Sequence, residues 1–315
     1  MQAKLKKPEA ERRMTWKEDF RVNKTLYLLF LPVLIWLILF HYIPLVGTLI
    51  AFEDFSVARG IFRSDWVWFE NFIDLFTGSG FWLAFRNTCA MAILNLTLGF
   101  VPTILFALIL TTFPHKHTKR GVQLVSYLPN FVSAVVMCSL AAEFLSEKGG
   151  ITQLLTFFGA DAQNWLANPN IPVFWIIYTL LGVWQAMGWG SIVYVTAINN
   201  VSGELHEAAA LDGADRFQRI LYITLPGIRP LIIMMWTISV GTVFKTIGNN
   251  ILLLYMPTTY DVADVLSTYT YRMSFGSVAN YGLSTASGLF QSLIGLVLLV
   301  TSNKLSRKVA GSSLF

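Results

Sequence analysis

The sequence predicts an all-α polytopic membrane protein of six transmembrane helices, with one short helical segment outside the bilayer between the fourth and fifth. Three observations carry this. Of 315 residues, 55% are hydrophobic and only 13% charged, more apolar surface than a soluble chain of this size can hide. The apolar residues fall into runs of twenty or more, and a helix rising ~1.5 Å per residue crosses a ~30 Å hydrocarbon core in about 20. The Lys and Arg residues are segregated between alternate gaps.

Residues 1–24 are basic, with eight Lys and Arg. The apolar run behind them is too long for a signal-peptide core and lacks a small-x-small cleavage site, so no cleaved leader is expected. The first span is 26–52, interrupted by Pro32 and Pro44. Residues 53–80 are polar and aromatic, with Trp66, Trp68, Phe69 and Phe72 suited to an interfacial belt. The second span, 81–113, is too long for one perpendicular crossing, so part of it tilts or lies at the interface, and Pro102 is a kink candidate. The third is 122–145 and contains Pro129. The fourth is 171–198, the fifth 230–254 and the sixth 281–301. The expected organisation is a basic segment at 1–24, a membrane domain over 25–303 and a tail at 304–315.

Six spans place both termini on one side. That side collects 17 of the 23 Lys and Arg residues, and the opposite loops hold Arg59, Arg63, Lys148 and Arg272. Cytoplasmic loops attract positive charge, so both termini and the polar segment 199–229 are expected in the cytoplasm. The net charge of +5 is then a topology signal, and nucleic acid is not needed to explain it.

Several chemistries have no residues to build them. There is no Gly-Lys-Ser or Gly-Lys-Thr phosphate loop, no His-Glu-x-x-His and no Gly-x-Ser-x-Gly. His115 and His117 form a solvated basic turn, and Cys89 and Cys138 are small packing residues in apolar runs, so no metal site is expected. Intramembrane carboxylates are nearly absent, leaving little for a proton-coupled carrier. The energy source is expected to be external and the chain non-catalytic.

Within 199–229, Ser202 is placed to cap a helix from Gly203 to Asp212, and Gly213 suits the left-handed position that ends it. Asp215 and Gln218 have capping-box spacing for a second helix, which the chain is expected to leave before Pro226. Leu205, Ala208 and Ala209 share one side of the first helix. That small-residue side fits docking into a partner's groove, and equally an amphipathic helix lying on the membrane. The residues alone leave both open.

Glu207, Ala208, Ala209, Gly213, Ile223, Leu225 and Pro226 occupy every defining position of a Glu-Ala-Ala, Gly, Ile-x-Leu-Pro signature. In this the chain resembles the permease subunits of bacterial ABC importers. With its six spans it looks like a carbohydrate permease of the maltose-transporter type, in the branch associated with complex oligosaccharides. Further support lies in Tyr27 to Pro32, Phe40 to Pro44, Arg86-Asn87-Thr88 and Tyr127 to Asn130. The resemblance implies a coupling helix containing Glu207, seated on one of two ATP-binding cassette subunits that bind the ATP and Mg. It also implies a second, homologous but non-identical permease chain and an extracytoplasmic solute-binding protein delivering an oligosaccharide. A self-contained secondary sugar carrier or channel is the competing reading.

Polar groups in lipid face a cavity or another helix. The substrate-pathway candidates are Asn95, Asn130, Gln185, Lys245, Asn249, Asn250 and Gln291, with Tyr178 and Trp184 as stacking surfaces; hydrogen bonding between helices competes for each. Lys245 lies about 24 Å of helical rise beyond Arg229. It either snorkels to the interface or, with Arg86, reads an anionic oligosaccharide such as a uronate oligomer.

Overall fold

The computed structural model describes residues 15–248 and 250–310, without the side chains of Lys17, Val309 and Ala310. Asn249, the first fourteen residues of the basic segment and the last five of the tail lie outside the described residues. The described residues are mostly helical, and among them the β structure is one two-residue pairing in which Glu53 faces Trp66.

Among the described residues, five helices are long and apolar enough to cross a membrane: Lys24–Phe52, Ser79–Thr112, Val173–Asn199, Arg216–Thr246 and Tyr281–Lys308. A sixth crossing exists only if a bent pair, Lys116–Phe131 and Ala134–Phe144, counts as one span. The expected third span, 122–145, falls across this bent pair. The two arms meet at 100°, because Pro129 puts Leu128–Phe131 into a 3-10 turn and Val132 and Ser133 are extended. Ser133 then restarts the chain as an N-cap, its Oγ accepting from the Val136 N–H at 3.3 Å.

Two other boundaries also move. The second helix of the polar segment is not left before Pro226; it runs on as one helix from Arg216 to Thr246, and the chain breaks again at Gly248 instead of continuing to 254. The last helix, Tyr281–Ala310, runs on past the expected span end near 301 and takes in most of the expected tail.

The prolines explain how helices pass through positions where a break was expected. Wide π-turns occupy Ile38–Tyr42, Asn95–Gly99 and Ile220–Thr224. Each holds the residue four before a proline: Phe40 before Pro44, Leu98 before Pro102 and Tyr222 before Pro226. A proline donates no N–H to that carbonyl and its ring crowds it; one extra residue in the turn relieves the clash without ending the helix. Pro32 and Pro230 sit in regular α-helix, so proline permits the wide turn without dictating it.

The core has two parts. Nearer the 53–80 loop, Phe81, Met91, Phe174, Leu254 and Leu266 pack together; nearer the 199–229 segment, Ile104, Leu110, Tyr194, Ile198 and Ile228 do so. The first long helix joins neither over most of its length. No residue of 24–45 is buried, and only its end at Val46–Phe52 packs, chiefly on the last helix.

Candidate functional site

The polar segment hangs between the ends of two long helices. Gly203–Leu211 is helical, with Ser202 at the N-cap position but making no side-chain cap bond, contrary to expectation. Its far end is a Schellman motif: the Ala214 N–H donates to Ala209 O at 2.8 Å and the Gly213 N–H to Ala210 O at 3.2 Å. Gly213 takes φ +86°, which a side chain resists. Asp215 caps the next helix: its carboxylate accepts from the Gln218 N–H at 2.7 Å, while the Gln218 Oε1 accepts from the Asp215 N–H at 2.9 Å.

Glu207 and Ala208 are exposed, whereas Ala209 is half-buried against the body and lies at the edge of the free face. The segment also exposes large apolar side chains: Leu205, Leu211, Phe217 and Tyr222 are 56%, 90%, 70% and 72% exposed. Behind the helix, His206, Arg216 and Arg219 line a hollow of about 370 Å³ closed by Thr112 and Asn199. Ile223 and Leu225 are half-buried and Pro226 exposed. The Ile-x-Leu-Pro stretch thus spans the end of the wide turn and the start of the regular helix that continues into the membrane.

The pathway candidates separate into groups. The Tyr178 hydroxyl accepts from the Gly248 N–H at 3.1 Å, and the Asn250 carbonyl accepts from the Cys138 thiol at 4.0 Å; these gather at the break in the fifth crossing. Gln185, two turns along the Tyr178 helix, donates to the Val132 carbonyl at 3.3 Å, the carbonyl freed by the 100° bend. Tyr178 and Gln185 are therefore committed to main chain at the two breaks. Asn95 is exposed in a hollow of about 310 Å³ with Gly99, Thr103, Gly190 and Ser239. Asn130 is half-buried and Trp184 is 49% exposed; neither joins these groups.

Lys245 is exposed in a groove of about 500 Å³ with Ser267, Thr270, Gly288, Gln291 and Gly295. The Gln291 amide donates to the Thr270 Oγ at 3.1 Å, and Thr270 and Ser287 hydroxyls pair at 2.8 Å. The sequence reading missed most of this wall. Its signal was present: Gly288, Gln291, Ser292 and Gly295 stand at i, i+3, i+4 and i+7, one face of a helix written in small and polar residues.

Arg86 does not share the groove. It donates to the Asp261 carbonyl at 2.8 Å and to the Asn87 Oδ1 at 2.9 Å. Asn87, fully buried, donates to the carbonyls of Asp261 and Asp264 at 3.1 and 2.8 Å, and Thr88 Oγ accepts from the Leu266 N–H at 2.9 Å. Arg86-Asn87-Thr88 is a clamp on the 261–266 loop. That loop is held again by Arg272, which donates twice to Asp264 at 2.6 and 3.0 Å.

Residues 79–311 match the family described as "Binding-protein-dependent transport system inner membrane component". The chain is 36% identical over 296 residues to the polygalacturonan/rhamnogalacturonan transport system permease protein YteP of Bacillus subtilis, covering 93% of this chain and 91% of that one. It is 33% identical to protein LplB of the same organism, covering 96% and 94%. A bacterial alginate ABC transporter, solved in complex with an alginate pentasaccharide-bound periplasmic protein, contains a chain with a TM-score of 0.86 and 35% identity, covering 95% of this chain and 99% of that one.

Proposed function

The chain belongs to the binding-protein-dependent transport system inner membrane components, and on that basis we propose how it takes part in ATP-driven oligosaccharide import. It is a multi-pass permease subunit. We read the Gly203–Leu211 helix as the seat of an ATP-binding cassette subunit, with Glu207 facing basic groups of that partner. The observation that carries this is the exposed helix itself, with apolar side chains left uncovered along the segment and a rigid end at the Schellman turn. ATP and Mg belong to the partner: this chain has no phosphate-cradling loop of its own.

The continuity of Arg216–Thr246 gives the coupling a mechanical route. A 31-residue helix is a rod of about 46 Å, so displacement of its Arg216 end tilts the Lys245 end across the membrane. Approach of two such segments would then rock the crossing helices between inward- and outward-facing states. The largely unburied first helix supports a second permease chain as its cover. The excess of Lys and Arg on the side of the termini supports their cytoplasmic placement.

The substrate is an anionic oligosaccharide in this reading. Lys245 makes no hydrogen bond or ion pair among the described residues, and the hydroxyls and amide around it offer sugar partners. The relatives named for polygalacturonan and alginate transport favour the same charge class.

Reconstitution tests the proposal. Vesicles holding the permease pair, the ATPases and a solute-binding protein should accumulate uronate oligomers only with ATP. Uptake by this chain alone, without ATP and without any ATPase bound to it, would replace the importer with a self-contained carrier.

A further inference from the structure

On the 53–80 side lies an acidic hollow of about 420 Å³, lined by Glu53, Asp54, Glu70 and Asp74 with Asn71 and Asn280, and by no cationic residue. Glu53 is 1% exposed and its Oε2 has no hydrogen-bond partner. Burying a carboxylate without a partner is costly, and a compensating charge removes that cost. Arg59, whose charge reaches Asp54 at the rim, is held by Asp65.

We infer that this hollow receives a lysine or arginine side chain of the solute-binding protein when that protein docks. Three observations select this occupant. The carboxylates of the lining come from the 53–54 strand and from two turns of the Glu70–Thr77 helix, and among the described residues no group that could hold a metal ion is found, which suits a long cationic side chain better than a compact ion. The loops at 53–80, 146–170 and 255–280 hold nine acidic residues against four basic ones, a field that steers a basic partner. The floor also joins three elements. The Asn71 amide donates to the carbonyls of Ala51 and Glu53 at 3.1 and 3.0 Å, and Asn71 lies against Gly282 at the start of the last helix. A cation seated there would hold the end of the first crossing helix, the Glu70–Thr77 helix and the last crossing helix together. Docking would thereby reach the membrane helices.

The inference rests on the orientation proposed above, with this loop facing outward. The test is binding of the purified solute-binding protein that stimulates the importer's ATPase to the assembled complex in nanodiscs. Glu53→Gln combined with Glu70→Gln should weaken binding about tenfold at low salt, and by much less at high salt, where exposed charges are screened. Asp74→Asn, on an exposed helix face, should act in the same direction without touching the floor. A Glu70→Lys complex should regain affinity for a binding-protein variant with one interface lysine changed to glutamate. Equal affinity of parent and all three carboxylate variants at low salt overturns the inference and leaves the importer reading standing. Calcium-dependent binding that is lost in Glu53→Gln overturns it in favour of a metal ion. A parent complex that binds no solute-binding protein overturns both.

Discussion

The main-chain N–H of Gly248 donates to the Tyr178 hydroxyl across 3.1 Å, tying the break after Thr246 to the second turn of the Val173–Asn199 helix. Gly248 has φ +103°, and a Cβ there would stand 2.0 Å from the Ser267 Oγ. The break is thus held by a hydrogen bond on one side and by close packing on the other. It lies just beyond Lys245, so it sets where the groove ends.

Tyr178→Phe should cost about 1–2 kcal/mol, the penalty for leaving a part-buried donor unpaired. Gly248→Ala should cost about 3 kcal/mol, combining backbone strain with overpacking. Thermal unfolding of the detergent-solubilised complex would rank them, and a larger loss in Tyr178→Phe would contradict this account of the break.

Glu207→Lys should leave the protein inserted and folded, because Glu207 is exposed and its helix end is fixed by main-chain bonds. ATPase stimulation and uptake should both collapse. Preserved stimulation in a correctly inserted variant would exclude docking through this residue.

Gly213 has φ +86° with open space where a Cβ would go, so only backbone strain opposes substitution. Gly213→Asn should be tolerated and Gly213→Val should cost about 1–2 kcal/mol of local stability. Proteolysis of the 199–229 segment, comparing the two variants, reads this directly.

Lys245→Ala should lower uptake of uronate oligomers about tenfold, ~1.4 kcal/mol, while uptake of neutral oligomers persists. Equal effects on both substrates would remove the anionic reading and leave a lysine that snorkels.

Asp264 is 4% exposed and takes two bonds from Arg272. Those bonds to the carboxylate hold the guanidinium above its usual range. A raised folded value means the contribution is complete at neutral pH and is lost only in strong alkali. Arg272→Ala should cost about 2 kcal/mol, since Asp264 would stay buried without its partner while the arginine itself is partly solvated. Arg272→Ala combined with Asp264→Asn should recover part of that loss.

The membrane class, the approximate position of five crossing helices, and the caps at Gly213 and Asp215 were all legible in the order of the residues. They follow from local rules: apolar run length against bilayer thickness, a carboxylate three residues before a glutamine, a glycine where φ turns positive. The Gly288 to Gly295 face was equally present there, and it went unread because small residues signal packing and ligand contact alike.

Where local rules compete, packing between distant segments settled the outcome. At Pro129 the helix tightens into a 3-10 turn and bends, and Gln185, from another helix, donates to the Val132 carbonyl at the bend. Pro226 does not break its helix, because the π-turn at Ile220–Thr224 absorbs the clash within the chain. The same residue type therefore gives a 100° bend in one place and a continuous rod in the other, and only the surroundings choose. Arg86 and Lys245 diverge for the same reason: both read as outer-end cations in the sequence, but the 261–266 loop folds over Arg86 and claims its charge, while Lys245 is left facing the groove.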